Sequence, residues 1–362
     1  MIHIVHVITG LHRGGAETVL VTLVTEFAQQ KYAYKQSVIF FKDGPLHDDL
    51  KKLGVATYQV SYFTLFKTIR TLKPDSIHSA LWSANIFARL AGYFLNIPVY
   101  CALHTVAAHS GFLRNFVDFL LPIHPENYIA VSRTVHESYD AIVPAYKLVT
   151  IENGILASTP YQSPLDLAHP EQGRRVSEVK QKNYVIGAVG RFVPVKNFDI
   201  LLHAYAQLYK EFKHIRLIIV GHGPLEQLLR DLAQQLEIHE MVTFVINKPA
   251  HNYYPLIDCF VQPSAHEGLS IALLEALQAQ LPAIVTGHQH AHACVMHKKS
   301  GLVIEPNHLI SLYEALRKYI LYPEVADAYA RAGHTYVQEH FSAATMAQRY
   351  SELLLIKSVK ST

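Results

Sequence analysis

A chain of 362 residues exceeds the size at which one hydrophobic core usually stops growing, so two domains are expected. Half the residues are hydrophobic and 17% are charged, the balance of a soluble globular protein; a formal charge of +3 is smaller than nucleic-acid binders usually concentrate. Three scattered cysteines, Cys101, Cys259 and Cys294, form no disulfide framework and fit a reducing compartment.

The opening MIHIVHVITGLHRGG has neither a basic n-region nor a long apolar h-region. The longest uncharged stretch, between Arg89 and Arg114, holds Asn96, Pro98, His104 and His109, which is wrong for a membrane-spanning helix. A cytoplasmic protein is the expectation. In chain order, IHIVHVI reads as a strand, GLHRGGAE as a glycine-bearing turn and TVLVTLVTEFAQQ as a helix with apolar residues at three and four. QSVIFF, DSIHS, IPVYCAL, NYIAVS and KLVTIENG follow as strands, with PLHDDLKKLG and SANIFARLAGYFL as helices. The pattern fades over residues 156–182, rich in Pro, Ser and charge, then restarts. YVIGAVGR, IRLIIVG, MVTFVI, CFVQPS and PAIVT read as strands; NFDILLHAYAQLYKEF, PLEQLLRDLAQQL and LISLYEALRKYIL read as helices. Strands that are apolar throughout and alternate with helices predict parallel sheets covered on both faces. The expected architecture is α/β: two Rossmann-like doubly wound domains, residues 1–155 and 183–342, facing across a cleft, with the last helix, 343–362, completing the first. Ligands of such sheets sit at the carboxyl ends of the strands.

At those ends several residues stand out. Gly10, Gly14 and Gly15 are spaced G-x-x-x-G-G, so they make either a plain tight turn or a turn whose N–H groups approach a phosphate. In GRFVPVKN, Arg191 and Lys196 lie between a strand end and a helix start; they are either solvated surface charge or a seat for an anion. His104 follows an apolar strand and serves either structure or ligand, while GHGP (221–224) is explained by turn geometry. The loop GHQHAHACVMH alternates His288, His290 and His292 ahead of Cys294 and His297, but the spacing matches no recognised zinc motif and no carboxylate orients the rings. A polar loop is the expectation there. In HEGLSIALLEALQAQLP, Glu267 and Glu275 stand eight residues apart, and Glu275 interrupts a helix that is otherwise apolar all round. Ser270 is placed near that helix's N-terminus. A buried carboxylate must be neutralised, paired or hydrogen-bonded, so Glu275 either has a protein partner or accepts hydrogen bonds from sugar hydroxyls.

VQPSAHEGLSIALLEALQAQLPAIVT resembles the E-x7-E segment of retaining glycosyltransferases of family 4, which have the GT-B fold, and the likeness runs through nearly the whole chain in order. VITGLHRGGAETVL resembles the family's N-terminal glycine loop, CALHTV its histidine strand and IENGI its Asn-Gly segment. GAVGRFVPVKNFDILLHAY resembles its Arg/Lys loop and IVGHGPLEQLL the next strand-turn-helix. The resemblance implies transfer from a nucleotide-diphosphate sugar to a glycan or glycolipid acceptor, in cell-surface polysaccharide or glycolipid synthesis, with neither cofactor nor metal. It implies that Arg191 and Lys196 hold the diphosphate, assisted by the backbone at Gly14, Gly15, Leu269 and Ser270. Glu275 would bind the ribose, Glu267 with the Gly268 and Leu269 amides the transferred sugar, and His104 would face the reacting carbon. One departure stands after PAIVT. Where the family has Asp-x-Gly-Gly-x-Pro-Glu, this chain places Gln289 and His290 at the glycines, His292 at the proline and Ala293 at the glutamate, which puts the sugar or acceptor preference in question.

Two alternatives remain open at this level: a nucleotide-sugar epimerase of the same architecture, and a non-catalytic sugar-binding relative. A nicotinamide oxidoreductase is disfavoured by the absence of its glycine spacing. HSGFLRNFVDFLLPIH (109–124) is amphipathic enough to touch lipid at the inner face of a membrane, and a core-facing helix explains it equally well. No nucleic-acid partner is expected.

Overall fold

The computed structural model describes residues 2–29, 34–107, 125–156, 183–287 and 294–355. The chain divides into two compact units, Met1–Leu156 with Phe341–Thr362, and Ala157–His340. The amphipathic segment 109–124, the residues 156–182 read as a linker (Leu156 apart) and the loop from His288 to Ala293 lie outside the described residues.

The first unit is built on β1 (Ile2–Gly10), β2 (Tyr34–Lys42), β3 (Ala56–Gln59), β4 (Ser76–Ala80), β5 (Val99–Leu103), β6 (Asn127–Ala130) and β7 (Leu148–Thr150). They form one sheet in the order β3-β2-β1-β4-β5-β6-β7, every pair parallel. Helices α1 (Gly15–Gln29), α2 (Leu46–Lys52), α3 (Leu65–Leu72), α4 (Trp82–Leu95) and α5 (Arg133–Tyr139) supply the crossovers among the described residues. Parallel strands need such crossovers, and covering both faces is why β1, β4 and β5 are buried almost end to end. The expectation of doubly wound α/β units holds.

The second unit repeats the plan. β8 (Tyr184–Val189), β9 (Ile215–Gly221), β10 (Val242–Ile246), β11 (Cys259–Gln262), β12 (Ala283–Thr286) and β13 (Leu302–Ile304) pair in the order β10-β9-β8-β11-β12-β13, again all parallel. Helices α6 (Phe198–Glu211), α7 (Glu226–Gln235), α8 (Ile271–Gln278), α9 (Leu309–Leu321) and α10 (Pro323–His340) flank it. In each sheet the strand order reverses beside the first strand, between β1 and β4 and between β8 and β11. Those switch points are where doubly wound sheets open a crevice.

The last helix, α11 (Ala343–Leu355), belongs to the first unit. Ile155 pairs with Phe341 and Ala343 through backbone hydrogen bonds of 2.9 and 2.8 Å. Gly154 permits this approach, because a Cβ there would run into the Ser342 carbonyl. Farther along, Ser351 meets the Tyr34 hydroxyl at 2.7 Å and the Tyr350 ring packs edge-on against His78 at 5.1 Å. Five elements that periodicity passes over, β3, α3, α5, β13 and α10, are short or poor in large apolar residues; α10 buries Ala326, Ala330, Gly333 and Val337, a stripe of mostly small side chains.

Beneath α11 two histidines are buried in the sheet, His6 on β1 and His78 on β4, with Nδ1 to Nδ1 at 3.1 Å. Gln36 fixes their tautomers. Its amide nitrogen donates to the Val24 carbonyl, so its oxygen must accept from His6 Nε2–H; His6 Nδ1 then accepts from His78 Nδ1–H. Burial pushes the His6 pKa down to about 4 and that of His78 well below the usual imidazole value. Both rings are therefore neutral at pH 7. Because the folded state binds fewer protons than the unfolded one between pH 6.5 and 4, stability is complete above 6.5 and falls as the pH drops through that window. Denaturant unfolding should show this loss, and His6→Asn should make the decline shallower. An equal decline in the variant would contradict the assignment.

Candidate active site

In the second unit the sequence-predicted residues gather at the switch point. β8 ends at Val189, and Gly190–Asn197 then passes through a short 3-10 turn, Pro194–Lys196. Asn197 ends that turn at φ 49° and ψ 39°, a left-handed conformation that Asn tolerates better than most residues. Its amide donates to the Pro263 carbonyl at 3.1 Å, and Ala265 N donates to the Val195 carbonyl at 2.8 Å. The loop after β8 is thus strapped to the loop after β11. The neighbouring GHGP turn serves this loop through its glycines: a Cβ on Gly221 would collide with the Gly190 carbonyl, and one on Gly223 with the Phe192 backbone.

Strapping the two loops brings Lys196 to Glu267. The ammonium and carboxylate Oε1 form an ion pair with each side chain only about one-sixth exposed, 15% and 16%. Ser264 Oγ donates to the same carboxylate oxygen at 2.8 Å, and the Ser264 carbonyl is held by Thr286 Oγ1 at 2.6 Å. Arg191 lies exposed on the same loop. Gly268 is partly buried; Leu269 and Ser270 are buried and lead into α8.

Helix α8 is fixed at both ends. Ser270 caps it, with Oγ accepting from Leu273 N at 3.4 Å and donating to Gln262 Oε1 at 2.6 Å. At its other end His334 Nδ1 donates to the Gln278 carbonyl at 2.7 Å. Gly333 lets α10 come close, since a Cβ there would lie 2.7 Å from Leu277 Cδ2. Glu275 has a protein partner that the sequence did not reveal. The Tyr254 hydroxyl donates to its Oε2 at 2.8 Å, and also lies 3.2 Å from the Ala272 carbonyl. Burial pushes the Glu275 pKa up to about 7, opposed by that hydrogen bond. Tyr254 is itself buried, and burial together with the neighbouring carboxylate holds its phenol well above the usual value.

In the first unit, Gly14 and Gly15 lie at the carboxyl edge of the sheet. The Gly14 carbonyl accepts from Thr18 N at 2.9 Å, starting α1, and the Gly14 position leaves room for the Glu17 carboxylate to fold back over the turn. His104 directly follows β5. It is partly buried, and burial pushes its pKa down to about 4, leaving a neutral imidazole at pH 7. Leu81, just past β4 and next to the β1–β4 switch, adopts φ 74° and ψ 148°, a conformation branched L-residues adopt only against strain. Neither Leu81 nor Tyr254 had a sequence signal. Ser264 did, as the S-x-x-E spacing to Glu267. Among the described residues no three His, Cys, Asp or Glu side chains gather as metal ligands, and no helix is long and apolar enough to cross a membrane. The three cysteines are buried and form no disulfide.

Two family models match, "Glycosyltransferase Family 4" over residues 3–158 and "Glycosyl transferases group 1" over residues 171–335. The chain belongs to the family 4 glycosyltransferases. Among relatives of this family, an uncharacterized glycosyltransferase of Haemophilus influenzae is 26% identical over 336 residues, covering 86% of this chain and 88% of its own. The GDP-mannose-dependent alpha-(1-6)-phosphatidylinositol monomannoside mannosyltransferase of Mycobacterium tuberculosis is 29% identical over 222 residues, covering 56% and 57%. The crystal structure of Anabaena HepE in complex with UDP-glucose superposes with a TM-score of 0.86 at 18% identity, covering 98% of this chain and 99% of that one. This glycosyltransferase accordingly has the GT-B fold.

The raised Glu275 pKa carries a sign. A carboxyl whose folded pKa lies above its ordinary 4.5 costs the folded state nothing at low pH and destabilises it progressively up to about 7. Relative to Glu275→Gln, the wild type should lose on the order of 3 kcal/mol across that window and then level off. Tyr254→Phe removes the opposing hydrogen bond and should extend the decline to higher pH. Unfolding curves that run parallel for all three proteins would contradict this.

Proposed function

We propose that this glycosyltransferase is a retaining, metal-independent enzyme that moves a sugar from a nucleotide-diphosphate sugar to a glycan or lipid-linked acceptor. The observation that carries the reading is the Lys196–Glu267 ion pair at the β8–β11 switch point, beside Arg191 and the capped start of α8. Cations next to a helix N-terminus favour a diphosphate, and acidic groups close by suit the hydroxyls of its sugars. In this reading Arg191 and Lys196 counter the charge that builds on the leaving nucleotide, the task a metal performs elsewhere. The Gly268, Leu269 and Ser270 backbone assists them. Glu275, oriented through Oε2 by Tyr254, offers its other oxygen to the ribose. Glu267 takes hydroxyls of the transferred sugar. Gly14, Gly15 and His104 are assigned to the donor from their place at the carboxyl edge of their own sheet and from the family resemblance. A neutral His104 would act there as a hydrogen-bonding group rather than as a cation. The Mycobacterium tuberculosis relative is GDP-mannose-dependent and the HepE structure holds UDP-glucose, so both bases belong in the test.

Thermal-shift and calorimetric titration with UDP, GDP and their sugars tests this reading. Arg191→Ala and Lys196→Ala should each weaken the bare nucleoside diphosphate roughly ten- to a hundredfold, the cost of one charge-assisted hydrogen bond. Glu267→Gln should remove the extra affinity contributed by the sugar, and EDTA should leave transfer unchanged. Wild-type affinity for every nucleotide in both cation variants would overturn the assignment.

A further inference from the structure

We propose that Tyr254 is a positioning residue through which binding of the nucleotide sugar expels one proton from Glu275. The inference rests on the assignment of Glu275 to the donor's ribose and adds the protonation state in which that contact forms. Glu275 is the one ionisable side chain of α8. It is partly buried, so one side of it still reaches solvent, while its chain neighbours Leu274 and Ala276 are buried completely. No cation compensates it among the described residues; its ionisation responds to burial and to the Tyr254 hydroxyl. The neighbouring elements add no charge. β12 carries no titratable side chain and β11 only the buried Cys259. α10 buries Ala326, Ala330, Gly333 and Val337, and its His334 is occupied by the Gln278 carbonyl at the far end of α8. The turns ahead of β11 bring the buried phenols Tyr253 and Tyr254, with His251 exposed, and Glu267 is countered by Lys196.

The Tyr254 phenol can serve Glu275 in either protonation state. Its oxygen lies 2.8 Å from Glu275 Oε2 and 3.2 Å from the Ala272 carbonyl, and it has one proton to give. Facing a carboxylate, the phenol donates to Oε2. Facing a carboxylic acid, it turns its proton to Ala272 and accepts the Glu275 O–H. Both forms are hydrogen-bonded, so the group can titrate in place. Burial without a cation favours the acid and the phenol's hydrogen bond favours the carboxylate, a balance that falls at about 7. Ribose hydroxyls are donors, and completing the carboxylate at Oε1 moves the balance towards the ion. On binding, the carboxyl proton passes to solvent and the phenol proton turns back to Oε2; no other bond forms or breaks at this group. Because the folded, empty protein must first lose that proton, affinity is full above about pH 7 and declines as the pH falls below it.

Calorimetric titration of the full chain with UDP- and GDP-sugars, UDP-glucose and GDP-mannose included, tests the coupling. Their diphosphates stay ionised throughout the pH range needed, and His104, at about 4, titrates below it. For a sugar nucleotide that binds, wild-type affinity should fall roughly tenfold between about pH 7.5 and about pH 6. At about pH 6.5, buffers of different ionisation enthalpy should reveal the release of about three-quarters of a proton. The 2′-deoxy form of the same nucleotide sugar should release less. Glu275→Gln should show neither the decline nor the release. Tyr254→Phe should move the decline up by roughly one pH unit, a shift that lost packing alone would not produce. Affinity that is equal across the range, release that persists in Glu275→Gln, or an unmoved Tyr254→Phe profile would each overturn the coupling and leave the donor site standing. A wild type that binds no UDP- or GDP-sugar at any pH would overturn the donor assignment and the coupling with it.

Discussion

Lys196 and Glu267 come from loops 71 residues apart, and their pairing is the constraint around which the second unit's switch point is arranged. Two charges this sheltered from water can be tolerated only if each satisfies the other and the surrounding hydrogen bonds fix the geometry. Asn197, Ser264 and Thr286 provide that fixing, and the glycines of GHGP allow the loop after β8 to lie against the next turn. The result is an ammonium stored beside a carboxylate at the mouth of a parallel sheet. In the proposed reading, an arriving diphosphate would offer Lys196 a denser anion and release Glu267 for neutral hydroxyls.

The two carboxylates of the E-x7-E segment therefore live in different surroundings. Glu267 sits in a loop with a cation and a hydroxyl as partners. Glu275 sits inside an apolar helix with a phenol, and its pKa is pushed up to about 7 by burial. Its ionised form is poorly stabilised in the free protein, which suits a group completed by ligand hydroxyls. In that reading the energetic cost of the empty site is part of its affinity, because ligand hydrogen bonds replace what burial removed.

Much of the fold was legible in the residues. Uniformly apolar runs such as IHIVHVI and IRLIIVG need cover on both faces, and that requirement yields parallel strands with helical crossovers. The helix α10 escaped notice because its buried stripe is built mostly from Ala and Gly, whose periodicity carries little hydrophobic signal. At the site, Glu275 was conspicuous as one acid in an apolar helix, yet its partner Tyr254 lies 21 residues away and is delivered by a 3-10 turn. Pairing over such distances is a property of topology and leaves no local pattern. The same holds for His6 and His78, two of 23 histidines, which only the β1–β4 register brings together.

The most direct measurement is a double-mutant cycle on affinity for bare UDP and GDP, using wild type, Glu267→Gln, Lys196→Met and the double variant. If Glu267 holds Lys196 until a diphosphate arrives, removing the carboxylate's charge should tighten the nucleotide in the presence of Lys196 and do nothing in its absence. Weaker binding by Glu267→Gln, or the same change with and without Lys196, would contradict the account.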